Sequence, residues 1–259
     1  MLGLGIPVFE PWLWSLMFVM VRIGPAFTAA PVFGAPAVPL QVRILLAGAN
    51  GVLVLRAAPI EPPAEVMALT TLLMIIQEVL VGLALGFIIQ IAFAAPLIAA
   101  EAIAGSMGLS FASAVDPQNG TSTTALGQFM SIIMTLLFLS LNGHLILADM
   151  VVRSYESLPP GAAWLAPAQL QAIAMFGSFI FMAGLLLALP VGFVLLCLNL
   201  IVGMLSRSAP SLNLFAVGLP ASLLVGLVAL AIAFPAMGDL MVNIVTEALA
   251  TSERLVMGS

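Results

Sequence analysis

Val66 to Gly105 reads VMALTTLLMIIQEVLVGLALGFIIQIAFAAPLIAAEAIAG, forty residues whose only charges are the carboxylates of Glu78 and Glu101. As one helix it would measure about 60 Å, twice the hydrocarbon thickness of a bilayer, so it must bend or protrude. Pro96 is the natural kink point. The rest of the chain has the same character: 63% of its 259 residues are hydrophobic, 7% are charged, and mean hydropathy is +1.26. A soluble domain carries about a quarter charged residues, because some side chains must face water all round a packed core. The sequence therefore specifies an all-α membrane protein.

Working outward, about six long apolar stretches are expected as helices: Trp12 to Phe33, Gln41 to Ala58, Val66 to Phe93, Ala125 to Met150, Leu170 to Val202, and Leu212 to Phe234. Proline and glycine mark the breaks, at Gly34 to Pro39, Pro59 to Pro63, Pro159 to Gly161 and Arg207 to Pro210. Leu170 to Arg207 is again too long for a simple span and carries Pro190 inside it. Both long stretches lead into a Ser-Ala and Pro segment (Ser113, Ala114 and Pro117; Ser208, Ala209 and Pro210), which suggests repeated kinked α-hairpins. Met1 to Phe9 lacks the positive region of a signal peptide, so the first apolar segment is expected to be retained. The arginines divide as Arg43 and Arg207 on one side and Arg56, Arg153 and Arg254 on the other, which places both termini in the cytoplasm by one charge.

Charge and motif content exclude several functions. The chain has no lysine, six arginines and eleven acids for a net charge of −5, so it has no basic face for nucleic acid. Cys197 is the single cysteine and lies in an apolar run, where it reads as a small core residue. His144 is the single histidine, read as a hydrogen-bonded packing residue with no second histidine to share a metal. No G-x-S-x-G motif occurs, Ser106 and Ser178 have no histidine at a readable spacing, and Asp239 follows Ala236 where an intramembrane aspartyl protease would have glycine. There is no catalytic constellation, and neither a cofactor nor a metal is expected.

The ionisable residues inside the apolar stretches are Arg22, Glu78 and Glu101. A charge at the bilayer centre costs about 2.5–3.5 kcal/mol on insertion scales and must find a partner or water. A fixed ion pair between helices or between subunits is preferred over a switchable pair on a transport path, because no chain of acids is spaced as a proton relay. Asp149, Arg153 and Glu156 have the spacing of a solvated helix end. Gly82 and Gly86 form a G-x-x-x-G pair, continued by Ala94, Ala95, Ala99, Ala100, Ala104 and Gly105, the kind of small ridge on which helix backbones approach closely. Ser106 to Thr124, SMGLSFASAVDPQNGTSTT, carries one charge, Asp116, among small neutral residues, with Met107 and Phe111 as anchors. Connections this long tend to be functional. The composition suits a reversible filling of a passage and equally suits an exposed surface loop.

At this segment the sequence resembles a known family. MGLSFASAVDPQNG, LFLSLNGHL at Leu137 to Leu145, SRSAPSLNLFAVGLP at Ser206 to Pro220, and RIGPAF at Arg22 to Phe27 resemble, in order and spacing, the FliR/SctT family of type III secretion export-gate subunits, and DPQNG and LNGH look more like its flagellar branch. The resemblance implies a non-enzymatic subunit of the flagellar protein export gate, through which exported flagellar polypeptides pass unfolded. It implies assembly with several copies each of FliP and FliQ into a helical conical bundle, association with FlhB, and a site in the bacterial inner membrane at the flagellar basal body, partly enclosed by its ring. It also implies a FliP-like half, 1–150, joined to a FliQ-like half, 151–259, and a pore plug formed by loop 106–122. That role falls on Met107, Phe111, Asp116, Pro117, Gln118 and Asn119. The alternatives are a virulence-injectisome subunit of the SctT branch, or a small-solute transporter using Arg22, Glu78 and Glu101 at the midplane.

Overall fold

The computed structural model describes residues 6–58, 60–61, 68–109, 123–161, 167–208 and 214–257. Its elements are α1 (Ile6–Ala29), α2 (Leu40–Ala57), α3 (Leu69–Ser106), α4 (Ala125–Ser140), α5 (Gly143–Ser157), α6 (Pro167–Ser208) and α7 (Leu214–Met257), with no strand among the described residues. By length and composition α1, α2, α3, α6 and α7 can each cross a bilayer, and α4 with α5 makes a sixth span bent by 62°. The protein is an all-α membrane protein of about six apolar spans.

Several boundaries differ from the sequence expectation. The stretch Ala125 to Met150 is two helices, because Asn142 stands in the left-handed region at φ 55, a conformation that asparagine tolerates better than most residues. Its N–H closes the end of α4 on Leu139 O at 3.0 Å, and its carbonyl receives Leu145 and Ile146 N–H at the start of α5. Gly143 completes the elbow, since a methyl there would overlap the Phe138 ring. The last helix does not stop at Phe234 but runs through Pro235 to Met257. Likewise α3 and α6 are helical through Pro96 and Pro190, giving lengths of 38 and 42 residues. Apolar surroundings offer a backbone nothing better than its own helix, so a lone proline does not end it.

The described residues form two compact units, Met1–Ala92 with Phe138–Gly177 and Val245–Ser259, and Phe93–Leu137 with Ser178–Ile244. In the first, the α1 residues Val19, Ile23 and Phe27, the α3 residues Leu85 and Ile88, and Leu147 and Val151 of α5 are buried. The second buries a ridge of Ala95, Ala99, Ala100 and Ala104 on α3, with Met130 and Met134 of α4 and Leu187, Val191 and Leu195 of α6. Outside these cores much apolar surface is open. Leu45 is 72% exposed, Phe181 69% and Ile232 77%, and Cys197 is exposed rather than a core residue. Apolar exposure on this scale requires lipid or other subunits against it.

Candidate functional site

The α1 and α3 backbones lie in contact. A methyl at Gly82 would overlap Arg22 O, and one at Gly86 would overlap Ala26 O and stand 2.9 Å from Ala29 Cβ. On α3, Glu78, Gly82 and Gly86 are four residues apart; on α1, Arg22 and Ala26 are too, so each set lies on one helix face. The close approach places Glu78 beside Arg22, and both side chains are fully buried. Arg22 Nε donates to Glu78 Oε2 at 2.7 Å and one Nη to Oε1 at 3.0 Å, a bidentate pair.

The remaining guanidinium hydrogens go to α5. Arg22 Nη1 donates to Ser154 O at 2.8 Å and to Ser154 Oγ at 3.0 Å, and Nη2 donates to Leu158 O at 2.7 Å. A guanidinium has five N–H groups, and all five are used. Leu158 is the residue that closes α5, so a cation lies where the helix dipole is negative. The Tyr155 ring covers the guanidinium, with its centroid 4.1 Å from Cζ, and the Tyr155 hydroxyl donates to Val19 O at 2.6 Å. Arg22 thus joins three helices through one saturated centre. Asp149 and Arg153, on the other side of α5, pair at 2.8 Å with both side chains more than half exposed.

Glu101 does not belong to that cluster. Its Oε1 accepts from Thr124 N–H and from the Thr124 hydroxyl, both at 3.0 Å, at the start of α4. Met107 is buried beside Gly226 of α7. Phe111, Asp116, Pro117, Gln118 and Asn119 lie outside the described residues. His144 is not hydrogen-bonded through Nδ1, which is enclosed without a partner. No cluster of metal-ligating side chains occurs among the described residues.

The first unit has a cavity of about 500 Å³ lined by Ala29, Leu80, Ala84, Phe87 and Leu170, with Gln77 as its polar member. The second has one of about 510 Å³ between α6 and α7, lined by Pro190, Val194, Leu224, Val228 and Ile232. Neither holds the convergent polar groups that orient a small solute.

Sequence comparison gives this geometry a context. Residues 13–248 match the family model described as bacterial export proteins, family 1. The chain is 38% identical over 226 residues to the flagellar biosynthetic protein FliR of Escherichia coli K12, covering 86% of this chain and 85% of that protein. It is 36% identical over 226 residues to FliR of Pectobacterium carotovorum, with the same coverage. The surface presentation of antigens protein SpaR of Shigella flexneri is similar at 26% over 217 residues, covering 80% of this chain and 83% of that protein.

Proposed function

The chain belongs to the bacterial export proteins, family 1, and from that membership we propose that it is a core subunit of the flagellar type III protein export gate. The observation that carries this reading is the similarity to flagellar FliR proteins, which spans most of both chains and exceeds the identity to SpaR, so the flagellar branch is preferred to the injectisome branch. The protein acts in a membrane with other export components. The finer reading is a place in the bacterial inner membrane at the basal body, with FliP, FliQ and FlhB as partners and unfolded flagellar polypeptides in transit. The large exposed apolar faces of α6 and α7 support a chain built to be covered by neighbours. Its halves 1–150 and 151–259 are read as FliP-like and FliQ-like. It supplies a passage, and the energy comes from elsewhere.

In this reading the 106–122 loop stops the passage at rest, with Met107, Phe111, Asp116, Pro117, Gln118 and Asn119 as the plug. In a Cys197→Ser background, which removes the only native thiol, cysteines at Phe111 and Gln118 are expected to crosslink to a stalled export substrate. Crosslinks to lipid or solvent reagents alone would remove the loop from the path. Deleting Gly108 to Gly120 is expected to make the membrane leaky to small ions while export continues or weakens. Unchanged conductance in assembled complexes would overturn the plug.

The transporter reading needs Arg22 and Glu78 to meet a solute or exchange protons. Every N–H of Arg22 is already bonded to protein, and the pair is closed to solvent, so there is no donor to offer. That geometry favours the gate.

A further inference from the structure

Within the first unit α2 packs on α1 and α5. It does so through one side, where Ala47, Gly51 and Val54 are buried and a methyl on Gly51 would stand 2.8 Å from Leu16 Cδ1 of α1. On the opposite side Val42, Leu45, Ala49, Leu53 and Arg56 follow one another at three- and four-residue steps, so they form a single stripe. All five are exposed. The small Ala49 between two leucines leaves a shallow notch along the stripe.

Nothing on this stripe short of its last residue can make a side-chain hydrogen bond. Asn50, the only polar side chain between Arg43 and Arg56, turns its amide back to Leu46 O of its own helix at 3.0 Å, which satisfies it without water. The helix has two arginines and no acid. Arg43 is engaged by the α1–α2 connection, one Nη donating to Ala35 O at 2.6 Å and to Gly34 O at 3.3 Å. Arg56 is different: it is exposed in the last turn and, among the described residues, has neither an ion-pair nor a hydrogen-bond partner. The negative end of the α2 dipole favours a cation there and would oppose an anion against the backbone, so an anion is met past the helix end, where the long arginine stem carries the guanidinium. From Leu45 to Arg56 the stripe measures about 16 Å, against about 15 Å for one leaflet of a bilayer's hydrocarbon core. An acyl chain asks for this combination: one leaflet of apolar length without donor or acceptor, ended by a cation at the depth of the phosphate.

We propose that the stripe is a binding site for an anionic phospholipid, with the phosphate on Arg56 and one acyl chain laid along Leu53, Ala49 and Leu45. The inference needs a bilayer around the chain and nothing from the plug reading. The test uses the full chain with its co-purifying neighbours, reconstituted in zwitterionic bilayers, with Cys197→Ser and a fluorophore on Val52→Cys. Val52 lies beside the stripe without belonging to it. The fluorophore is quenched by brominated acyl chains, offered at low mole fraction as phosphatidylglycerol or as phosphatidylcholine. Phosphatidylglycerol is expected to reach the same quenching at about fivefold lower mole fraction, the preference one arginine near a bilayer surface supplies. Arg56→Gln should remove that preference and Arg56→Lys should keep most of it. A variant that merely assembles poorly lowers the signal and leaves the ratio between the lipids unchanged. Inorganic phosphate at matched ionic strength should not alter the ratio; its collapse would assign the anion to free phosphate and overturn the lipid. Equal quenching by both lipids overturns the role of Arg56, and quenching by neither shows that a neighbouring subunit covers the stripe. Should Val52→Cys not accumulate, Ala49→Cys is read in the same way.

Discussion

Arg22→Ala is expected to abolish accumulation of the folded chain, or to lower its denaturation midpoint so far in detergent that no cooperative transition remains. Removing one partner of a buried ion pair costs about 3–5 kcal/mol, because the other charge is left without compensation. Here that charge is the fully buried Glu78, and the Ser154 hydroxyl and Leu158 carbonyl also lose their Arg22 donor. Against a typical total stability of about 5–15 kcal/mol, the loss takes a large share. Arg22→Lys is expected to fall between, since an ammonium has three donors and cannot reproduce a bidentate fork plus three bonds to α5. The decisive comparison is Arg22→Met with Glu78→Met. Removing both charges removes the desolvation cost along with the attraction, so the double variant should be much more stable than either single one. A double variant no better than Arg22→Ala would mean that the bonds to α5, rather than the pair with Glu78, hold the centre together.

This centre shows where the sequence was legible and where it was not. Arg22 is recognisable as a buried cation because a charge in an apolar stretch must be matched. Which acid matches it is harder, since Glu78 and Glu101 look alike in hydropathy. The discriminating signal is Gly82 and Gly86, which follow Glu78 at helical spacing and bring α1 onto that face of α3. The contribution of α5 was missed because Asp149, Arg153 and Glu156 mark its solvated side. The opposite side, Met150, Val151, Ser154, Tyr155 and Leu158, has equally helical spacing and is the buried one. The elbow at Asn142 was hidden for a different reason: a hydropathy window averages across it, although Asn-Gly is itself turn chemistry. Cys197 was misplaced because apolar composition reports burial in something apolar, and lipid or a neighbouring subunit serves as well as a core.

Gly82→Ala is expected to be nearly as damaging as Arg22→Ala, although on helix propensity alone it should help. Glycine to alanine gains about 0.5–1 kcal/mol in a helix interior. Against that gain, the new methyl would fall on the Arg22 carbonyl oxygen, and Ala26 N would lie 3.2 Å away. These are backbone atoms of α1, so no side-chain rotation can relieve the overlap, and overpacking costs about 1–3 kcal/mol. The only relief is to move α1 away from α3. Glu78 is one turn from Gly82, so that movement also stretches the 2.7 Å Arg22 Nε to Glu78 Oε2 bond and couples the packing fault to the charge pair. Stability measured in detergent should therefore fall by a few kcal/mol in the otherwise native chain. It should fall by less in the Arg22→Met, Glu78→Met background, where no charge is left to separate. A Gly82→Ala chain as stable as the native one would show that α1 and α3 do not need their backbones in contact. Equal losses in both backgrounds would show that the small ridge and the ion pair act independently, rather than as one device in which the glycines set the reach of the arginine.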